Sequence, residues 1–263
     1  MANKFVWYEL MTSDPAAAKS FYGDVVGWTA KDMEHAGIPG IDYTVLSANG
    51  EMVAGLMEMP DAPKEAGAGP FWVGYVGVDD VDAMAQKVAA AGGAIHRAPE
   101  DIPDIGRFAV VADPHGAVFC LLTMSGSEGG GSGAGISPMT AGHVGWRELM
   151  AGDLGTEFAF YSGLFGWEKG QAIDMGAMGT YQLFDVDGLS IGGMMTKPAE
   201  LAAPPHWGYY FTVPKIEAAV DLVKSGGGAV LNGPMEVPGG AWIINCTDPQ
   251  GAYFSLVAPP TSS

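Results

Sequence analysis

FVWYELMTSDPAAAKSFYGDVVGW, residues 5–28, aligns without gaps with VGWRELMAGDLGTEFAFYSGLFGW, residues 144–167, and nine of the 24 positions are identical. Trp7 aligns with Trp146, and every position in this stretch is offset by the same 139 residues. Self-similarity at one fixed spacing is the signature of a structural unit used more than once. The stretch therefore predicts a chain built from two copies of one fold.

The later part of each half repeats as well. DPHGAVF, residues 113–119, matches DPQGAYF, residues 248–254, with an offset of 135. Between the halves lies a Gly/Ser-rich stretch, and such composition is typical of a flexible linker. We therefore predict a first domain at 1–124, a linker at 125–138 and a second domain at 139–263.

Composition narrows the function classes. The chain has 263 residues, 48% of them apolar, and a formal net charge of −18. The negative charge argues against nucleic acid and anionic membranes as partners. No apolar run is long enough to span a membrane, and the first twenty residues do not predict a secretory signal.

The two cysteines, Cys120 and Cys246, fall at non-equivalent places in the halves, which favours free thiols and a reducing cytoplasm.

Local signals predict an α+β fold. Phe5–Met11 alternates like a strand, Asp14 and Pro15 are typical helix-start residues, and Gly27 is a typical helix stop. A second helix is expected at 81–91, with a cap at Asp79 or Asp80. Further strands are expected at 42–47, 52–57, 71–78, 107–112 and 117–122. Each half then contains two βαβββ modules, and the chain contains four.

These motifs carry a family resemblance. The pattern W-x-E-L-x-x-x-D, the ending F-Y-x-x-x-x-G-W, the segment V-D-D-V-D and the turn D-P-x-G are similar to those of the vicinal oxygen chelate superfamily. That superfamily includes glyoxalase I, bleomycin-resistance proteins and extradiol dioxygenases. More narrowly, the chain resembles tandem two-domain bacterial proteins of the glyoxalase or hydroxylase type. The resemblance implies that paired modules curl their sheets into a cup that holds a metal or a small ligand.

The resemblance also implies where metal ligands would lie. In metal-binding members, His, Gln or Glu side chains occupy set positions on the first and last strands of the modules. Here those positions hold Trp7, Val73 and Cys120 in the first half, and Trp146, Gly208 and Ser255 in the second. Only Cys120 is a usual ligand type, and one thiol does not hold a divalent ion. We therefore predict no metal and no other cofactor.

Strand alternation predicts which side chains line the cups. If Trp7 points inward, Glu9 and Met11 do too, and Tyr8 and Leu10 pack beneath the helix. The predicted ligand-binding residues are Trp7, Glu9, Val73, Tyr75, Cys120, Trp146, Glu148, Gly208, Tyr210 and Ser255. The prediction is an aromatic pocket with one carboxylate in each half, which is typical of small-molecule sites.

Glu9 and Glu148 are the only candidate catalytic residues, and three roles remain open for them. Each carboxylate can be structural, held by a tyrosine hydroxyl or a tryptophan N–H. Each can instead orient a ligand, or act as a catalytic base or a metal ligand. The histidines are scattered, and His115, which lies in a turn, is expected to be solvated.

Three functions follow as hypotheses. The first is metal-independent binding, or sequestration, of a small apolar or aromatic molecule by a monomer or homodimer. The alternative is a glyoxalase-type lyase, or a dioxygenase or hydroxylase, acting on a small carbonyl or aromatic substrate. The third is an interaction protein whose cups are ordinary cores. The sequence leaves open whether the chain is an enzyme.

Overall fold

The computed structural model describes residues 3–33, 42–125 and 139–260. In the first half, the strands are β1 (Phe5–Thr12), β2 (Thr29–Met33), β3 (Tyr43–Ala48), β4 (Glu51–Glu58), β5 (Phe71–Gly77), β6 (Ala94–Ile102), β7 (Gly106–Ala112) and β8 (Val118–Met124). The helices of this half are α1 (Pro15–Val26), α2 (Asp61–Glu65) and α3 (Val81–Ala90).

The second half repeats this order. Its strands are β9 (Val144–Ala151), β10 (Glu168–Asp174), β11 (Thr180–Val186), β12 (Leu189–Thr196), β13 (His206–Thr212), β14 (Ala229–Glu236), β15 (Trp242–Thr247) and β16 (Tyr253–Ala258). Its helices are α4 (Leu154–Phe165) and α5 (Ile216–Ser225), with a short 3-10 turn at Gly176–Met178.

Each half contributes one eight-stranded sheet. The strand order is β2-β3-β4-β1-β5-β8-β7-β6 in the first sheet and β10-β11-β12-β9-β13-β16-β15-β14 in the second. β1 runs parallel to β4, and β5 runs parallel to β8, while the remaining strands form antiparallel hairpins. The α+β class and the four βαβββ modules predicted from the sequence are confirmed.

Capping residues set the helix bounds. Asp14 accepts a hydrogen bond from the Ala17 N–H at the start of α1, and Gly27 ends that helix with a φ of +85°. Asp80, rather than Asp79, caps α3. The sequence did not locate β2 or β6, because their side chains are mostly exposed and show no clear apolar alternation.

The described chain divides into two compact units, and each takes residues from both halves. The first unit contains residues 3–6, 73–125 and 147–208. The second contains residues 7–33, 42–72, 139–146 and 209–260. Within the first unit α3 packs on α4, and within the second α1 packs on α5. Apart from Ser125, the linker predicted at 125–138 lies outside the described residues, so the predicted domain boundaries stay a prediction.

A cluster of aromatic rings fills the core of each unit. In the second unit, the Tyr22 ring lies 5.3 Å from the Trp72 ring, and Trp28 lies 4.8 Å from Phe211, measured between centroids. In the first unit, Tyr161 stacks on Trp167 at 5.5 Å. Both Tyr22 and Tyr161 are essentially fully buried. No helix among the described residues is long and apolar enough to cross a membrane.

Candidate functional site

From Trp7 to Thr12, the two faces of β1 differ in burial. Leu10 and Thr12 are completely buried, and Tyr8 is nearly so. On the opposite face, Trp7 and Met11 are half-buried. β1 lies inside its sheet, between β4 and β5, so the half-buried face belongs to a central strand and leaves an aromatic ring and a thioether within reach of a small molecule.

Glu9 lies on this half-buried face and is only 6% exposed. The Tyr43 hydroxyl, from β3, hydrogen-bonds to the Glu9 carboxylate. The Trp7 indole N–H donates to the same hydroxyl at 2.9 Å. Burial, and next the Glu9 charge, raise the pKa of Tyr43 well above its usual value. The tyrosine therefore stays protonated and acts as donor to the carboxylate.

The second half repeats the glutamate–tyrosine contact in the first unit. The Tyr181 hydroxyl, from β11, donates to Glu148 Oε1 at 3.0 Å. Glu148 is half-buried, somewhat more open than Glu9. The structural role left open by the sequence required a tyrosine or tryptophan partner for each glutamate. A tyrosine hydroxyl contacts the glutamate in both halves.

A glycine makes room for each tyrosine. Gly55 of β4 lies opposite Glu9 in the strand register, and Gly193 of β12 lies opposite Glu148. A Cβ at Gly55 would overlap the Tyr43 hydroxyl, and a Cβ at Gly193 would overlap the Tyr181 ring. The sequence analysis missed both tyrosines. Their signal was that tyrosine and glycine each recur after 138 residues.

Another set of predicted residues meets in the second unit. Tyr210 of β13 pairs in register with Ser255 of β16, which pairs with Asn245 of β15. The Asn245 amide donates to Ser255 Oγ at 2.9 Å and to Tyr210 Oη at 3.3 Å. Trp146 is a partly buried ring packed against the same cluster as Tyr210. Asn245 was not predicted, although it lies on the inward face of a closing strand.

The remaining predicted residues belong to the first unit. Tyr75 of β5 lies opposite Cys120 of β8 in the parallel register. Cys120 is completely buried, and Val73 is 2% exposed. Gly208 is also buried, in β13. The ten predicted ligand-binding residues are thus divided between the units, with Trp7, Glu9, Trp146, Tyr210 and Ser255 in the second and Val73, Tyr75, Cys120, Glu148 and Gly208 in the first.

His115 is exposed in its turn, as expected from the sequence, but it also makes a contact that was not expected. Although its side chain is 39% exposed, His115 Nδ1 contacts the carboxylate of Glu157, which is completely buried. Burial first, and next the nearby Asp113 charge, raise the pKa of Glu157 to about 7, while the histidine opposes this rise. Glu157 in turn raises the pKa of His115. This pair could not be predicted from the repeat, since neither residue type recurs at the equivalent position of the other half.

The side chains at the family's metal-ligand positions do not fit a metal. Trp7, Val73, Trp146 and Gly208 offer no ligand atom from their side chains, and Ser255 Oγ already accepts from Asn245. Glu9 and Glu148 are engaged by tyrosine hydroxyls. Within residues 3–33, 42–125 and 139–260, no three His, Cys, Asp or Glu side chains are grouped so that they could hold a metal ion. We therefore derive no chemistry through a metal.

Comparison with known proteins places this geometry in a family. The sequence profile of the Glyoxalase/Bleomycin resistance protein/Dioxygenase superfamily matches residues 4–121 and again residues 140–256. "Putative glyoxylase CFP32" of Mycobacterium tuberculosis is 33% identical over 96% of this chain and 94% of its own length. "Anthracycline biosynthesis protein DauV" of Streptomyces sp. strain C5 is also 33% identical, over 95% of this chain and 91% of its own length.

Solved structures show the same fold at low identity. The Mn(II)-bound glyoxalase of Novosphingobium aromaticivorans has a TM-score of 0.64 at 16% identity, covering 98% of this chain and 82% of that chain. The 2,2',3-trihydroxybiphenyl 1,2-dioxygenase of Sphingomonas wittichii has a TM-score of 0.66 at 14% identity, covering 98% of this chain and 91% of that chain. With a family match in both halves and relatives of one-third identity along nearly its whole length, the chain belongs to the Glyoxalase/Bleomycin resistance protein/Dioxygenase superfamily.

Proposed function

We propose that the protein binds a small apolar or aromatic molecule without a metal. One observation carries the proposal: Trp7 and Met11 remain half-buried on either side of the buried Glu9, while Tyr8, Leu10 and Thr12 on the opposite face of β1 are buried. Concave apolar surfaces with a few placed polar groups are the usual form of small-molecule sites. A flexible thioether such as Met11 also adapts to ligands of different shape.

The polar group in this site is the Glu9–Tyr43 pair. Tyr43 is anchored by the Trp7 N–H at 2.9 Å, so the hydroxyl has a fixed position before any ligand arrives. A preorganised donor or acceptor loses little entropy on binding. The pair would therefore orient a ligand, and the surrounding aromatic surface would supply most of the affinity.

The relatives support the same class of ligand. One of them is named for anthracycline biosynthesis, and anthracyclines contain fused aromatic rings. An enzymatic role, as lyase, dioxygenase or hydroxylase, is kept as the second candidate because another relative is named as a glyoxylase. The proposal includes the oligomeric state and the compartment: the protein would act as a monomer or homodimer in a reducing cytoplasm. Both cysteine side chains are buried thiols, and burial raises the pKa of Cys246 to about 12.

Ligand-induced stabilisation tests the proposal. A ligand at 100 times its Kd stabilises the native state by about 2.7 kcal/mol, so an aromatic probe such as 2-naphthol should raise the Tm of the full chain. In the E9Q variant the amide still accepts from Tyr43, so the unliganded Tm should stay close to wild type while the ligand-induced rise shrinks. In E9L the half-buried Tyr43 loses its acceptor, so the unliganded Tm should fall, by up to the equivalent of about 1–3 kcal/mol.

Glu58→Gln is the matched control, because Glu58 is an exposed carboxylate in the same unit. It should change neither the unliganded Tm nor the ligand-induced rise. A full ligand-induced rise in E9Q would make Glu9 purely structural. No rise with any aromatic probe, in wild type, would contradict the binding function. Turnover of a carbonyl or aromatic substrate that requires added metal would favour the enzymatic alternative.

A further inference from the structure

Asn245 is held in one place by a strong contact and two weak ones. Its Nδ2 donates to Ser255 Oγ at 2.9 Å, which is an ordinary hydrogen-bond length. The same nitrogen reaches Tyr210 Oη at 3.3 Å, and Oδ1 accepts from Asn232 Nδ2 at 3.3 Å. Both of these distances exceed the usual range for N–H···O bonds. Ser255 is completely buried, so it fixes the amide, and the two long contacts can be exchanged for better ones.

The surroundings of this amide are apolar and partly open. Tyr210 packs with Ala241 and Val257, and the rings and branched side chains of Trp146 and Ile243 lie against them, partly buried. Asn245 itself is half-buried, like Ile243 two residues earlier on the same face of β15. An amide that can both donate and accept is thus set into a surface suited to an aromatic ring.

The first half lacks this polar group at the equivalent place. Positions 135 residues earlier hold Val110 for Asn245, Cys120 for Ser255 and Tyr75 for Tyr210. The register is the same, since Val110 pairs with Cys120 and Tyr75 pairs with Cys120. Val110 is half-buried, as Asn245 is. Its branched apolar side chain can neither donate nor accept a hydrogen bond.

We propose that Asn245 makes the second half selective for aromatic ligands that carry a hydroxyl group. A hydroxyl can donate to Oδ1 and accept from Nδ2, and it would replace the two long contacts with shorter ones. The inference rests on the proposed function and adds to it the chemical class of ligand and the residue that selects it. A ligand that enters without a hydroxyl would leave the amide with the Ser255 hydrogen bond and the two long contacts only, and would gain no hydrogen bond of its own.

Equilibrium dialysis with 2-naphthol and naphthalene tests the proposal, because the two probes differ only by the hydroxyl. One net hydrogen bond corresponds to about a 2- to 12-fold difference in Kd. Wild-type protein should bind 2-naphthol more tightly by such a factor. Asn245→Val, which installs the side chain present at position 110, should reduce that preference. Ser255→Cys should weaken it as well, since a thiol is a poor acceptor for the anchoring amide. Thr247→Val, a polar-to-apolar change on the same strand, should leave the preference unchanged.

A spectroscopic readout makes the test independent of affinity. The side-chain amide signal of Asn245, identified by its disappearance in Asn245→Val, should shift on addition of 2-naphthol and much less with naphthalene. Equal binding of both probes by wild type, or an unchanged preference in Asn245→Val, would overturn the role of Asn245. Binding of neither probe would instead count against the proposed function itself, so the two failures are distinguishable.

Discussion

The Tyr22 hydroxyl of the first half donates to Asp248 Oδ2 of the second half at 3.1 Å. The repeat reverses the direction, because Tyr161 of the second half donates to Asp113 of the first half at the same distance. Both tyrosines come from the F-Y-x-x-x-x-G-W motif, and both aspartates open a D-P-x-G turn. Two of the motifs that carry the family resemblance are therefore partners in structure, and they join the halves within each unit.

Each of these aspartates also organises its own turn. Asp248 Oδ1 accepts from the Gln250 and Ala252 N–H groups, both at 2.9 Å. The other oxygen is left for the tyrosine, which in turn accepts from a tryptophan N–H, Trp72 in the case of Tyr22, at 2.9 Å. A buried carboxylate held by several donors is costly to disturb, because any donor or acceptor left unpaired loses its hydrogen bond without regaining water.

Removing the Tyr22 hydroxyl should destabilise the protein. Tyr22→Phe leaves both Asp248 Oδ2 and the Trp72 N–H without this partner, so we expect a loss of about 1–3 kcal/mol in the free energy of unfolding. Urea denaturation measures it, and Ser20→Ala on the exposed side of α1 is the control, expected within about 0.5 kcal/mol of wild type. A loss no larger than that of the control would mean that the contact contributes little.

The buried Glu157 should make stability depend on pH. Its pKa rises from 4.5 to about 7 on folding, and that of His115 also rises. Groups with raised pKa values hold protons more tightly in the native state, so their contribution is complete below about pH 4.5 and is lost as the pH rises through about 7. Glu157→Gln should flatten the fall in stability across this window, by at most about 1.4 kcal/mol per pH unit for one proton.

The control for this measurement is Glu217→Gln. Glu217 also lies in the first turn of a helix, α5, but is exposed. Chemical denaturation at several pH values should show that the free energy of unfolding of this variant depends on pH as it does in wild type. If the free energy of unfolding of Glu157→Gln depended on pH as steeply as that of wild type and of Glu217→Gln, the raised pKa of Glu157 would be refuted.

Gly55 should not tolerate a side chain. Gly55→Ala places a methyl group where the Tyr43 hydroxyl lies, so the tyrosine must move away from Glu9. Overpacking of this kind costs about 1–3 kcal/mol. Thermal unfolding of Gly55→Ala measures the loss. Gly69→Ala serves as control, since nothing lies within 4 Å of a Cβ there, and its Tm should remain near the wild-type value. Equal behaviour of the two variants would show that Tyr43 can relocate at no cost.

Cutting the chain between the halves should not separate them. Each compact unit contains residues from both halves, and hydrogen bonds such as Tyr22–Asp248 and Tyr161–Asp113 connect them. With a specific protease site placed between residues 126 and 138, the two fragments should elute together in size-exclusion chromatography and separate only in denaturant. Independent elution of the fragments under native conditions would contradict the mixed composition of the units.

Purified protein should contain no stoichiometric transition metal. The family's ligand positions are filled by Trp7, Val73 and Cys120 in one half, and these side chains supply one possible ligand among three. Elemental analysis after purification without chelators provides the measurement. One zinc, nickel, manganese or iron per chain would refute the expectation, and loss of that metal in Glu9→Gln or Glu148→Gln would identify its ligands.

Much of the fold could be predicted from the sequence because its signals are local. Asp14 and Gly27 bound α1 through caps that involve only neighbouring residues, and alternation along β1 separates Trp7 from Leu10. The 139-residue repeat then extends each local conclusion to the second half. The edge strand β2 was not predicted, because its residues are all exposed and show no apolar pattern.

The candidate site was predicted only where it follows strand alternation. Glu9, Trp7 and Tyr210 lie on inward faces and were named, whereas Tyr43 and Asn245 gain their roles from strand register. Register depends on how whole strands align, which single-sequence patterns constrain weakly.

The sequence by itself determined that one fold is used twice, which family it belongs to, and which strand faces are apolar, since periodicity and capping act over a few residues. Only the tertiary structure decided that Tyr22 holds Asp248, 226 residues away, and that Glu157 is buried beside His115. Contacts between distant segments depend on the packing of whole helices and sheets, where hydrogen bonds buried from water select one arrangement among many that the local pattern allows.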